Sequence, residues 1–320
     1  MSGGIDVSVI VLSYNHERYI TQALDSILMQ KTDYRYEILI GDDCSQDRTA
    51  EILKEYQRKY PDVIRLFLWE KNLGAARNSY ELLTRAKGRY LATCEGDDYW
   101  TDPKKLQIQV DFLEKNPAYV GVTHHFTIVN EMGAAVRKQR LDWVKPRAHF
   151  TMKDFQGVYL PGQPSTFVRR NIFLDTSQDY SAIYRLHPMI ADRTLMLLFL
   201  SRGTFCTLQR NMSCYRQSTA ASSLTTALYA NSPDHVWLDY TYNESLERYA
   251  TELTGRTVVY RERRKILFAD ALVMIVRQPM RRNNWTLVGR MLRKSEAPFF
   301  LLVSAPYYIA KKIIKIIKNE

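Results

Sequence analysis

Tyr90-Leu91-Ala92-Thr93-Cys94-Glu95-Gly96-Asp97-Asp98-Tyr99-Trp100 sets a short apolar run directly ahead of three carboxylates. The run Tyr90–Thr93 reads as a strand, and acids that follow a strand lie at its carboxyl end. In open α/β sheets that is the edge where ligands bind. Upstream, apolar β-branched runs at Val7–Leu12, Glu37–Ile40 and Val63–Trp69 also read as strands. Segments of helical period separate them: Glu17–Gln30, Arg48–Tyr60 and Gly74–Lys87. In the first of these, Tyr19-Ile20, Ala23-Leu24 and Ile27-Leu28 share one face. Gly88 falls where a helix C′ glycine would sit. Strand–helix alternation repeated in this way predicts an α/β domain with a largely parallel sheet flanked by helices.

The polar residues cluster at the predicted strand ends: Ser13-Tyr14-Asn15-His16, Asp42-Asp43-Cys44-Ser45 and Glu95-Gly96-Asp97-Asp98. In a doubly wound sheet these three points share an edge. Downstream, Asp102-Pro103 starts a helix through Lys115, with Pro at its first position. Tyr119–Val129 reads as a strand, followed by a turn at Gly133 and a polar, basic stretch to His149. A second cluster, Leu160-Pro161-Gly162-Gln163-Pro164-Ser165-Thr166-Phe167, precedes Met189-Ile190-Ala191-Asp192 and an apolar helix, Leu195–Leu200, that ends before Gly203. Residues 217–235, rich in Ser, Thr and Ala, read as a mobile loop. From His235 to Lys294 the pattern is helical and increasingly basic.

Three carboxylates within four positions repel one another at neutral pH, and a cation relieves that repulsion. Oxygen-only ligands suit Mg²⁺ or Mn²⁺ bridging the phosphates of a substrate. The same acids could instead form the first turn of a helix. Asp42-Asp43 could accept hydrogen bonds from a nucleobase or ribose. Equally, with Ser45 and Asp47, the pair could make a turn and cap for the helix that follows.

Four segments carry a family resemblance: Val9-Ile10-Val11-Leu12-Ser13-Tyr14-Asn15, Ile38-Leu39-Ile40-Gly41-Asp42-Asp43-Cys44-Ser45-Gln46-Asp47-Arg48-Thr49, Asn72-Leu73-Gly74-Ala75-Ala76-Arg77-Asn78, and Gly88 through Trp100. In this order and spacing the chain resembles the family 2 inverting glycosyltransferases, closely over 5–130 and loosely over 160–216. The resemblance implies a GT-A fold, with a Rossmann-like, mostly parallel mixed sheet. It also implies a nucleoside-diphosphate sugar donor, UDP being the first expectation, and a divalent metal, Mg²⁺ or Mn²⁺. By position, Leu12, Ser13, Tyr14 and Asn15 would line the base pocket, and Asp43 or Asp42 would hold the base. Arg77 would lie near the ribose-diphosphate. Asp97-Asp98 stands for the family's DxD motif, one residue ligating metal and the other contacting ribose or metal-bound water, with Glu95 completing the acidic set. Asp192 falls loosely where the family keeps its catalytic base. This sequence departs from the pattern at Glu95, more often Asp, at Cys44, most often Gly, and at Ser218, often His.

Sugar transfer breaks an anomeric C–O bond while the diphosphate leaves with growing negative charge, which a metal and Arg77 would stabilise. The acceptor hydroxyl needs a base on the opposite face, for which Asp192 is the candidate; the same residue could cap the helix that follows it. A single displacement with one base inverts the anomeric centre. His187, His124 and His125 are lesser candidates, since lone histidines are usually structural or surface residues.

Charge divides the chain. The formal net charge is +11. Residues 261–320 hold 14 Lys+Arg and 4 Asp+Glu, and residues 1–260 hold 31 and 30. The expected division is a glycosyltransferase domain, 1–230, and a helical, basic C-terminal region, 231–320. The stretch Pro298–Ala310 is apolar but too short and proline-bounded to span a bilayer. The segment that follows, Lys311-Lys312-Ile313-Ile314-Lys315-Ile316-Ile317-Lys318, alternates lysines and isoleucines at roughly helical spacing, and with the upstream Arg281-Arg282, Arg290, Arg293 and Lys294 it reads as an interfacial helix for anionic lipid. It could instead pack on the body with a solvated basic face, or bind nucleic acid, but no nucleic-acid motif accompanies the charge. The N-terminus shows no secretory pattern, and the four cysteines show neither a CxxC pair nor metal-ligand spacing. A cytoplasmic protein, peripheral at the membrane, is the expectation. A glycan or lipid-linked acceptor for surface polysaccharide would suit that place. The rival readings are a nucleotidyltransferase, which would want a Gly-rich, basic N-terminal loop, and a non-catalytic glycan or lipid-head-group binder.

Overall fold

The computed structural model describes residues 4–136, 140–187, 190–217, 235–277, 280, 282–295 and 298–319. The chain divides into two compact units: 1–155 with 159–226, and 156–158 with 227–320.

The first unit is built on one eight-stranded sheet of order β3-β2-β1-β4-β7-β6-β8-β5. Its strands are β1 (Val7–Ser13), β2 (Tyr36–Asp42), β3 (Ile64–Leu68), β4 (Tyr90–Thr93), β5 (Tyr99–Trp100), β6 (Tyr119–Val129), β7 (Val168–Arg170) and β8 (Thr204–Arg216). The first four pair in parallel, β2 with β1 and β3, and β4 with β1. β7 runs antiparallel to β4 and β6, β8 parallel to β6, and β5 antiparallel to β8. The mostly parallel mixed sheet is thus as expected. The helices of this unit are α1 (Ile20–Leu28), α2 (Thr49–Lys59), α3 (Ala75–Leu83), α4 (Lys105–Lys115), the single turns α5 (Met152–Phe155) and α6 (Ala182–Arg185), and α7 (Asp192–Leu200).

Apolar periodicity explains the core. Ile20, Ala23, Leu24 and Ile27 of α1 and Leu106, Val110 and Leu113 of α4 are fully buried in one cluster. It also holds Val7, Val9 and Val11 of β1, Ile38 and Ile40 of β2, and Tyr90 and Ala92 of β4. Winding proceeds from β1 outward to β3, then returns to β4 on the other side of β1. The carboxyl ends of β1 and β4 therefore flank the topological switch point, where open α/β sheets form their binding crevice.

Two local expectations need correction. α3 ends at Leu83, so Gly88 is not its C′ residue. A Cβ on Gly88 would meet Ser8 N at 2.4 Å, so glycine is required there by the close passage of β1. Pro103 precedes α4 rather than opening it: the Asp102 carboxylate accepts from Lys104 N at 2.9 Å, and the helix starts at Lys105. The strands β5, β7 and β8 had no counterpart in the sequence reading.

The second unit is helical: α8 (His235–Thr254), α9 (Arg261–Arg277), α10 (Arg282–Lys294) and α11 (Pro298–Asn319). Gly255, at φ +64°, ends α8 as a left-handed C′ residue. Its core joins Val236 and Tyr240 to Leu267, Phe268 and Ala271, to Leu287, Val288 and Met291, and to Leu301 and Ala305. The apolar and lysine-rich halves of the C-terminal tail form one 22-residue helix with Pro306 inside it, not two segments. Part of the basic excess is neutralised locally. Arg263 pairs with Asp239, Arg264 with Glu247, and Arg290 and Lys294 with Glu244. Counted over 227–320 the unit carries 16 Lys+Arg against 9 Asp+Glu. No described helix is long and apolar enough to cross a membrane. Residues 218–234, most of the loop read from sequence, lie outside the described residues.

Candidate active site at the carboxyl edge of the sheet

The acids that follow β2 hold their own turn. Asp42 accepts from Ser45 N at 3.1 Å and Ser45 Oγ at 2.5 Å. Ser45 Oγ in turn accepts from Asn15 N at 2.9 Å, and the Asn15 side chain accepts from Gln46 N at 2.8 Å. This stitches the end of β1 to the end of β2. Cys44 completes the turn at φ +64°, the left-handed conformation that favours glycine. Asp43 accepts from Leu73 N at 2.6 Å and Gly74 N at 3.0 Å. Gly74 sits at φ +83°, ψ 149° ahead of α3, a conformation open to glycine almost alone. Burial raises the Asp43 pKa, the two amides lower it, and Asp42 raises it.

The acids that follow β4 are held differently. Gly96 N donates to Leu12 O at 3.0 Å. A Cβ on Gly96 would lie 2.5 Å from His16 Nδ1, so only glycine lets the loop close against β1. Asp98 is fully buried: it accepts from Ser165 Oγ at 2.6 Å and from Arg216 N at 2.8 Å. Ser165 Oγ also accepts from Glu95 N at 3.0 Å, and Ser165 O accepts from Trp100 Nε1 at 3.0 Å. Arg216 donates to Asp97 O, Asn130 O, Glu131 O and Gln22 Oε1, and its guanidinium lies 4.5 Å from the Tyr19 ring centroid. Ser165 and Arg216 thus brace the loop from two sides.

Electrostatics bring Asp192 to the same place. Burial, then Asp192, Asp97 and Asp98, push Glu95 well above the usual carboxylate range, with Arg169 opposing. Burial and Asp97 push Asp98 up, against its hydrogen bonds from Ser165 and Arg216. Burial raises Asp192, with Arg169 and Arg193 opposing. Arg169 is a buried guanidinium whose Nη2 donates to Thr93 Oγ1 at 2.7 Å; burial lowers its pKa to about 10. Burial and then Asp98, Asp97, Asp192 and Glu95 raise the phenol of Tyr215. Four carboxylates, Tyr215 and Arg169 therefore form one electrostatic cluster. Among the described residues, no group of three His, Cys, Asp or Glu side chains could by itself hold a metal ion.

The remaining sequence candidates occupy varied places. Leu12 supplies its carbonyl to Gly96, and Tyr14 is exposed. Ser13 Oγ and His16 Nδ1 are buried with no hydrogen-bond partner. Arg77 pairs with Glu81 and lies 4.2 Å over the Tyr184 ring. Asp192 opens α7; the residue before it, Ala191, makes no side-chain cap. His124 Nδ1 contacts His125 O at 2.7 Å, His125 Nε2 contacts Gln209 at 3.0 Å, and His187 accepts from Ile190 N at 3.0 Å. All four cysteines are free thiols. Met189 and Ser218 lie outside the described residues. Sequence reading assigned nothing to Ser165, Arg169, Tyr215 or Arg216. The polar cluster Leu160–Phe167 was the signal for Ser165, the loose resemblance over 160–216 reached the other three, and neither gave them a role.

A parallel sheet with its acids at the switch point is the architecture of the GT-A glycosyltransferases, and the solved structures agree. Staphylococcus aureus TarS in complex with UDP-GlcNAc aligns over 95% of this chain and 89% of its own, with a TM-score of 0.59 at 15% identity. A Pyrobaculum calidifontis mannosyltransferase in complex with GDP-Man and Mn²⁺ aligns over 100% and 89%, with a TM-score of 0.50 at 16% identity. Residues 8–175 match the model of glycosyl transferase family 2, and the chain belongs to that family. A Bacillus subtilis protein named as a glycosyltransferase, EpsE, is 32% identical over 63% of this chain and 69% of its own. Mycobacterial relatives reach 43% identity over 128 residues, a match that spans 37% of their length.

Proposed function

We propose that this chain transfers a hexosyl or N-acetylhexosaminyl group from a nucleoside-diphosphate sugar to a hydroxyl of a glycan or lipid-linked acceptor. UDP-sugars are the first donors to test, and surface-polysaccharide assembly is the setting. The reading includes inversion at the anomeric carbon and a divalent cation. One observation carries it: Glu95 and Tyr215 both feel the charges of Asp97, Asp98 and Asp192 beyond the end of β4, which places one strongly acidic environment at the switch point. Such crowding is costly unless positive charge offsets it. The family membership and the nucleotide-sugar complexes of the two structural neighbours support the donor class.

The roles divide by what each side chain already does. Asp98 accepts one donor on each oxygen, from Ser165 and Arg216, so it braces the loop while keeping lone pairs that could still meet a cation. Asp97, and behind it Glu95, would hold Mg²⁺ or Mn²⁺ together with diphosphate oxygens of the donor, as suits hard oxygen ligands. Bound there, the cation would neutralise charge on the departing diphosphate. Leu12, Ser13, Tyr14 and Asn15 line the base pocket in this reading, and the unpartnered Ser13 Oγ supports it, since buried hydroxyls find partners. Asp43 keeps lone pairs beyond its two amides and accepts from the base. Arg77 reaches the diphosphate only by leaving Glu81. Asp192 takes the acceptor proton as the acceptor oxygen bonds to the anomeric carbon and the bond to diphosphate breaks. Burial that raises its proton affinity suits a general base.

The same proposal sets the reaction at the cytoplasmic face of an anionic membrane, supported by the basic C-terminal unit. A thermal-shift panel of UDP-, GDP- and dTDP-sugars with and without Mn²⁺ tests the donor and metal. Stabilisation by one nucleotide class that requires Mn²⁺ is expected. No stabilisation and no Mn²⁺-dependent hydrolysis of any donor would overturn the reading.

A further inference from the structure

We propose that the outer face of α11 is the surface that seats this chain on an anionic bilayer, with Phe299, Val303, Tyr307 and Ile314 entering the lipid interface. This rests on the membrane part of the reading above and adds which face does the work. Steps of four, four and seven residues put those positions in one stripe, joined at its edges by Phe300 and Leu302. The opposite face of the helix is taken: Leu301 and Ala305 are buried in the core of the helical unit, and Tyr308 Oη donates to Glu262 at 2.8 Å. The stripe is not: Phe299, Val303 and Tyr307 are 77%, 60% and 65% exposed. Of the fifteen exposed large hydrophobic side chains among the described residues, ten belong to the helical unit and six to α11. At 1.5 Å per residue, Phe299 to Ile314 extends about 22 Å, a contiguous apolar surface of the kind that marks an interaction site.

Charge selects the partner. α11 contains no acid, and its sequence ends with lysines at 311, 312, 315 and 318; Lys311 is exposed. An apolar stripe continued by cations matches a bilayer with anionic headgroups, where lysines gain from the surface potential and aromatic rings settle at the interface. Exposed Lys311, at the edge of the stripe, would lose solvent against a second copy of the same face without gaining an acidic partner, since α11 has none, which opposes self-association. The helix does not qualify as a membrane span, so the contact is along the interface.

The test is co-sedimentation of the full chain with phosphatidylcholine vesicles made with and without phosphatidylglycerol. Binding that requires phosphatidylglycerol and weakens with salt is expected. The triple variant Phe299→Ser/Val303→Ser/Tyr307→Ser should lose at least about tenfold in partitioning, since each change removes an apolar side chain that would enter the lipid interface. Its melting temperature and nucleotide-sugar binding should stay unchanged. Lys311→Glu, which keeps the apolar stripe, should weaken binding several-fold and serves if the triple variant misfolds. If the wild-type chain ignores anionic vesicles, the membrane reading and this face both fail. If the wild type binds and both variants bind equally well, this face alone is wrong. A wild-type dimer that the triple variant dissolves, with no vesicle binding, would assign the stripe to a second copy and also overturn the proposal.

Discussion

Two acidic loops stand side by side at the edge of the sheet, and their acids do different work. At the end of β2, Asp42 and Asp43 accept four hydrogen bonds, from Ser45 of their own turn and from Leu73 and Gly74 ahead of α3, so these acids hold backbone in place. After β4, only Asp98 is spent in that way, on donors 67 and 118 residues distant in sequence. Glu95 is left with its proton affinity raised by burial, Asp192 and Asp97, and Asp192 with its own raised by burial. Acidic residues near one another in sequence therefore say little by themselves. What separates scaffold from reactive group is whether the protein's own donors engage the oxygens.

The largest expected effect falls on the unspent side. Asp192→Asn should lower turnover by about 10²–10⁴-fold, the usual contribution of a general base, with donor binding retained in a calorimetric titration. Near-normal turnover would remove Asp192 from that role. Next comes the brace. Asp98→Asn sets an amide group against one of two inward donors, and leaving a buried donor unmet costs about 1–3 kcal/mol. Its melting temperature should fall accordingly, and a variant melting like the wild type would return Asp98 to the list of open oxygens.

Beneath the second loop lies Lys105, fully buried, its Nζ 4.1 Å from the centroid of Trp100 and without a hydrogen-bond partner. Burial lowers its pKa from 10.5 to about 7. Between those values the unfolded chain holds a proton that the folded chain does not, so stability from this residue rises with pH across that window. Lys105→Met should raise the melting temperature most at and below pH 7. The gain should shrink as pH climbs towards 10; a constant difference would contradict the assignment. The smallest effect belongs to the first loop. Cys44→Gly relieves a left-handed residue but frees the unfolded chain, and the two nearly cancel, to within about 1 kcal/mol. A loss well beyond that would show Cys44 making contacts that hold the turn.

The difference between the loops also marks what could be read in advance. The parallel half of the sheet was legible because each strand and helix carries its own period: Val7–Leu12 against the observed Val7–Ser13, Tyr119–Val129 without change. β7 is three residues long and β5 two, too short for any pattern, and they exist because tertiary neighbours supply their hydrogen bonds. The acids themselves were visible, yet their division was not, because Ser165 and Arg216 reach Asp98 only through the fold. Pro306 misled the reading of the tail. A proline inside a helix forfeits one backbone hydrogen bond and usually ends the helix, but here the packing of Leu301 and Ala305 on the helical unit carries α11 past it.

The central claim is that the loop after β4 offers its free carboxylates to a cation and a nucleotide while Asp98 holds it in place. Isothermal titration of UDP, or of whichever nucleotide the donor panel selects, into the wild-type chain and Asp97→Asn, each with and without Mn²⁺, tests it most directly. The account predicts that Mn²⁺ tightens binding to the wild type by at least about tenfold, a difference of about 1.4 kcal/mol, and that Asp97→Asn abolishes the gain with its melting temperature unchanged. Equal Mn²⁺ enhancement in the two proteins would contradict it.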